Sequence, residues 1–179
     1  MRIFALAACA TILAACASVP LATAIHLASM DQRTLAELDP SQVRVRLAVP
    51  VGFDWNVPQT RLVLEFSDSS GKRELHEFHL VLLQRTAGTR PGGHFRRDIP
   101  VTITELALDP LSIQQLRTVQ QSVRNRKLKD FRFSVSWQFA AIPEGIRSIR
   151  FWVDLRLRAT EDYMRLVDGA EIRITYTGN

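Results

Sequence analysis

From Val43 onward, apolar residues recur at every second position, and this period constrains the fold more than any other feature of the chain. Val43, Val45, Leu47 and Val49 alternate with Arg44, Arg46 and Ala48, and Leu62, Leu64 and Phe66 alternate with Arg61, Val63 and Glu65. His76, Phe78, Leu80 and Leu82 share one face of a third run, and Ile99, Val101 and Ile103 face away from Pro100, Thr102 and Thr104. Phe131, Phe133, Val135, Trp137 and Phe139 form the cleanest row. Ile149, Phe151, Val153, Leu155 and Leu157 then stand against Arg150, Trp152, Asp154, Arg156 and Arg158, and Ile172, Ile174 and Tyr176 close the chain. Successive Cβ atoms of a strand point to opposite faces, so each run predicts a half-buried strand. Turn signals separate the runs: Ser69-Ser70-Gly71, which predicts a hairpin, then Arg90-Pro91-Gly92-Gly93, Pro143-Glu144-Gly145 and Asp168-Gly169.

One segment breaks the period. Asp109-Pro110 is a helix start, with Asp as the cap and Pro at the first helical position. Ile113, Leu116, Val119 and Val123 then recur at helical spacing, and Arg124, Arg126 and Lys127 crowd the end, where cations suit the helix dipole. This predicts one amphipathic helix over about 110–127. Strands with one apolar face each need a second layer. The expectation is a mainly β domain: an antiparallel β-sandwich with one amphipathic helix or, alternatively, a curled half-barrel with the helix as a lid. No linker splits the body, so residues 31–179 are expected to form a single β-rich periplasmic domain.

The N-terminus is of another kind. Arg2 precedes the apolar run Ile3 to Leu13, which is too short to span a bilayer but has the length of a signal peptide's apolar region. Leu13-Ala14-Ala15-Cys16 resembles the lipobox of bacterial lipoproteins, a specific motif confined to the first 16 or so residues. The resemblance implies a signal peptide over 1–15, a lipidated Cys16, and a short connector over 16–30. It implies thioether attachment of a diacylglyceryl group to the Cys16 thiol, cleavage just before it, and acylation of the new amine. Two or more chains anchor stably where one holds only marginally. The plainer alternative is a secretory leader cut without lipidation. Ala17 and Ser18, with no aspartate after the cysteine, imply the outer membrane, facing the periplasm. Leu21, Ile25 and Ala28 would share a helical face, and Leu21, Thr23, Ile25 and Leu27 a strand face. Either way this segment is expected to dock on the body.

Cys9 and Cys16 are the two cysteines, so the mature chain contains no disulfide pair. Without Arg2 the chain carries 22 basic and 18 acidic residues, and Lys72, Lys127 and Lys129 are its three lysines. This diffuse positive charge suits anionic lipid, envelope polysaccharide or an acidic envelope protein, and is too spread out to indicate nucleic acid.

Candidate chemistry is sparse. His76 and His79 would point to opposite faces of a strand and cannot share a metal, so no metal site and no cofactor are expected. The loop holding Arg90, His94, Arg96 and Arg97 has the glycines and guanidiniums of an anion grip, with a solvated hairpin tip as the plainer reading. Trp152, on the polar side of its strand between Arg150 and Asp154, suggests a partner surface, or else a tryptophan capped by a neighbour. Trp55 suggests a plug at one end of the body, and Trp137 belongs to the core row. No catalytic constellation stands out, so the chain is expected not to be an enzyme. The expected function is an envelope lipoprotein with a non-enzymatic binding or scaffolding domain. A carrier of an apolar ligand or lipid is one alternative. An envelope hydrolase using His76, His79 or His94 as base is the other. The mature part is similar in general style to uncharacterised proteobacterial envelope lipoproteins, with no motif that ties it to a named family.

Overall fold

A computed structural model describes residues 32–92, 97–124, 126 and 128–174. Its strands are β1 (Arg44–Pro50), β2 (Asp54–Trp55), β3 (Arg61–Asp68), β4 (Arg73–Arg90), β5 (Ile99–Leu108), β6 (Leu128–Ser136), β7 (Phe139–Ala141), β8 (Ser148–Arg156) and β9 (Met164–Arg173). Its α-helices are α1 (Gln32–Glu37) and α2 (Pro110–Arg124). Seven strands form one sheet in the order β6-β3-β4-β5-β1-β8-β9, with every neighbouring pair antiparallel, while β2 and β7 pair separately. Of the two arrangements that the alternation allows, the curled half-barrel is the one formed.

The curl originates in β4. A strand of 18 residues is well beyond the usual length, and its two halves have different partners. Arg73 to His79 pair with β3, and Leu80 to Arg90 pair with β5. A bulge at Leu83 lies just past the exchange, and bulges bend the strand that carries them. The two halves of the sheet therefore close over one core, which includes Leu47, Leu64, Phe66, Phe78, Leu106, Phe133, Val153 and Leu155. One expectation changes along β4. Phe78 and Leu80 are buried as predicted, but Leu82 is 45% exposed because it lies beyond the end of β3.

Local signals account for the connections. Asp68 Oδ1 accepts hydrogen bonds from the Ser70 and Lys72 amides, at 2.8 and 3.1 Å, and Gly71 takes φ +83°, which closes the β3–β4 hairpin. Asp109 Oδ1 accepts from the Ser112 amide at 2.6 Å and caps α2. The Ser112 hydroxyl then accepts from the His79 amide at 2.7 Å and ties the helix start to β4. Leu116, Val119 and Val123 enter the core, and Ile113 packs against it. Gln120, buried on the same helix, donates to the Leu35 and Leu38 carbonyls at 2.9 and 2.6 Å, which fastens α1 onto α2. The Gln32 amide nitrogen donates to the Val123 and Arg126 carbonyls, and its oxygen accepts from the Leu128 amide at 3.0 Å. α2 ends at Arg124, three residues before the expected boundary.

Two further expectations change. The row Phe131 to Phe139 is not one strand. It breaks after Ser136, and Phe139 pairs instead with Trp55. Trp55 is buried there, its ring stacked on Phe139 at 4.8 Å and edge-on to Trp137 at 4.9 Å, as a plug would be. Asp168-Gly169 is not a turn between strands but a kink inside β9. Gly169 has φ +66°, and a Cβ there would meet Trp152 Nε1 at 3.2 Å and Arg150 Cδ at 3.3 Å. Gly169→Ala is therefore expected to cost about 1–2 kcal/mol from the left-handed backbone alone, seen as a lower melting temperature. An unchanged melting temperature would contradict this role. Among the described residues, no helix is long and apolar enough to cross a membrane.

Candidate functional site: a charged ladder opposite the core

The face of β4, β5, β1, β8 and β9 turned away from the core carries a connected polar constellation. Strand register builds it. Gln84 lies opposite Glu105, Glu105 opposite Arg46, Arg46 opposite Asp154, and Asp154 opposite Arg165. One residue from each of five neighbouring strands thus forms a row across the sheet, with charges alternating from Glu105 onward. Directly opposed side chains of opposite charge stabilise a sheet pair.

Glu105 is buried and accepts from four donors. Its Oε2 takes hydrogen bonds from Arg46 Nε at 3.0 Å, Arg46 Nη2 at 2.9 Å and Gln84 Nε2 at 2.9 Å, and its Oε1 takes the Tyr163 hydroxyl at 2.8 Å. Burial by itself pushes the carboxyl pKa up. The hydrogen bonds from Gln84, Tyr163 and Arg46, with the Arg46 charge, outweigh burial and hold it below the usual value. Tyr163 responds in the opposite sense. Burial, then its hydrogen bond to Glu105, pushes the phenol up to about 12. The Arg46 guanidinium lies 3.7 Å from the centre of the Tyr163 ring and that of Arg156 lies 4.8 Å away, both within cation–π range.

Asp154 is the second anchor. Its Oδ2 accepts from Arg90 Nη2 at 2.6 Å and its Oδ1 from Arg165 Nε at 2.8 Å. Arg165 also donates to Asp168 at 2.8 Å. Burial works against the Arg165 charge, but its bonds to Asp154 and Asp168 outweigh that and raise its pKa.

The proposed site residues meet different fates here. Arg90 and Trp152 come to this same face, through contacts the sequence did not suggest. Arg90 is not a free anion grip, since its guanidinium is held by Asp154. Trp152 is not an exposed partner contact. It is 1% exposed and forms a small second cluster with Ala48 and Val101, flanked by Ile99 and Ile103. The distal end of the β4–β5 ribbon covers it, and the Gly92 carbonyl accepts from Arg150 Nη1 at 2.7 Å on the same side. Arg97 is exposed. His94, Arg96 and Cys16 lie outside the described residues. His76 and His79 fall on opposite faces of β4, as the period requires. His76 stacks on Phe66 at 5.4 Å, and His79 is exposed. Among the described residues, no three His, Cys, Asp or Glu side chains are placed to hold a metal ion. Arg46, Glu105, Tyr163 and Arg165 were missed by the sequence reading. Glu105 did carry a signal, as a lone carboxylate between Ile103-Thr104 and the apolar stretch Leu106-Ala107-Leu108, because a charge in such a setting needs a partner.

The Tyr163 shift has a measurable consequence. A folded-state pKa near 12 against an ordinary 10.0 favours the protonated phenol in the folded chain. This contribution is complete below pH 10 and is lost as the pH rises through 12. Wild type should therefore lose more stability than Tyr163→Phe between pH 10 and 12, read from urea midpoints. Parallel alkaline limbs would remove the assignment.

Searches of protein-family models, curated proteins and solved structures returned no match to this chain.

Proposed function

We propose that the chain is a lipoprotein of the bacterial envelope, anchored through Cys16 to the outer membrane and facing the periplasm. Its β domain recognises another envelope component by fixed charge and is not an enzyme. The anchoring half of this reading rests on Leu13-Ala14-Ala15-Cys16 after a short apolar leader. The recognition half rests on one observation, the row of alternating charges that hydrogen bonds hold in place across neighbouring strands. Glu105 is held below the usual carboxylate range and Tyr163 up to about 12. A general acid or base works best with a pKa near the operating pH, and both groups are moved away from it. What the ladder offers at neutral pH is a rigid pattern of charge, which serves recognition and orientation.

Radiolabelled palmitate fed to cells expressing the chain tests the anchor. Incorporation is expected for wild type and absent for Cys16→Ser, with the variant released from the membrane fraction. A label that persists in Cys16→Ser would refute the lipobox assignment. Crosslinking of the lipidated protein in intact envelopes tests recognition and is expected to recover one stoichiometric component.

A further inference from the structure

Beside the ladder, the charge balance fails at one place. Arg44 on β1 lies directly opposite Arg156 on β8, and like charges in that relation destabilise a sheet pair. Among the described residues, no carboxylate lies within ion-pair distance of either one. Arg44 is oriented by its own backbone, with Nη1 donating to the Ser41 and Val43 carbonyls at 2.7 and 2.8 Å. Arg156 Nε is buried without a hydrogen-bond partner, although buried polar groups nearly always have one. Arg46, diagonal to Arg156, already has Glu105 as its counter-ion. Two positive charges without a carboxylate partner therefore remain on half-buried side chains, and the Arg156 guanidinium lies beside the Tyr163 ring.

We propose that Arg44 and Arg156, paired across β1 and β8, form a binding site for a phosphate group. A phosphate monoester carries up to two negative charges and three acceptor oxygens, which matches two guanidinium forks better than a single carboxylate does. The site deepens the reading of this face as a recognition surface and rests on it. The phosphate is either free or borne by a lipid headgroup. In both cases the same two arginines hold it.

The test uses the full chain, with inorganic phosphate titrated at constant ionic strength against chloride and unfolding followed by heat. Phosphate is expected to raise the melting temperature above the chloride control, with affinity falling at least tenfold in both Arg44→Gln and Arg156→Gln. Arg44→Gln leaves the Arg156–Tyr163 contact in place. With no phosphate present it is expected to melt close to wild type, because relief of the like-charge pair offsets the loss of its hydrogen bonds to the Ser41 and Val43 carbonyls. A second arm measures binding to phosphatidylcholine vesicles with and without phosphatidic acid, for wild type and both variants. A gain from phosphatidic acid that the variants lose assigns the phosphate to lipid, and binding of inorganic phosphate without that gain assigns it to a soluble source. A phosphate response equal to chloride, or unchanged in both variants, overturns the site. The phosphate arm needs neither the membrane nor Cys16. Its failure therefore leaves the anchored reading intact, which falls instead if palmitate labelling fails.

Discussion

Replacing Asp154 by alanine is expected to lower the unfolding free energy by about 3 kcal/mol, the lower end of what breaking a buried ion pair costs. Asp154 is 4% exposed and is the shared acceptor of Arg90 and Arg165. Without it, the Arg90 guanidinium stays mostly buried with no counter-charge, and its Nε already lacks a partner. The lower end applies because Arg165 is partly exposed and keeps Asp168. Asp154→Asn preserves the shape and one acceptor and should lose less. Urea unfolding at neutral pH reads both. A loss under about 1 kcal/mol for the alanine variant, the range of exposed pairs, would show that the carboxylate does not hold the two arginines together.

Trp152→Ala should be of similar or larger effect, about 3–5 kcal/mol for truncating a buried large aromatic. The contrast with its sequence position is what makes this variant informative. A tryptophan standing out from a polar strand face would change stability by no more than about 0.5 kcal/mol when removed. Here the indole fills the space between Ala48, Val101 and the Gly169 kink. Truncation would open a cavity under the β4–β5 ribbon and loosen the Arg90–Asp154 pair that the ribbon carries. Denaturant midpoints and the loss of a blue-shifted fluorescence component are the two measurements. A variant as stable as wild type would place Trp152 in solvent after all.

The two halves of the ladder show how far the sequence could be read. Arg46, Asp154 and Arg156 were visible as polar positions alternating with core residues, and the structure keeps every one on the face that the alternation assigns. Their partners were not visible. Glu105 lies 59 residues from Arg46, and Asp154 lies 64 residues from Arg90, and no local pattern encodes which strands become neighbours. The same applies to β4, whose residues show a strand throughout but not that its halves pair with different neighbours. Asp168-Gly169 reads in the sequence as a turn between strands, whereas it lies inside β9, with Gly169 at positive φ.

The sequence by itself determined the mainly β class, the capped helix from Pro110, the hairpin at Gly71 and the side of each strand on which a residue falls. These follow from backbone stereochemistry and hydrogen bonds between residues close in the chain, so a single sequence expresses them. Only the tertiary structure decided that the sheet curls at β4, that Trp152 is covered, and that carboxylates and arginines from separate strands meet in one row. Those outcomes depend on register between distant segments, where burial and charge pairing across the sheet select one arrangement among many that the same alternation permits.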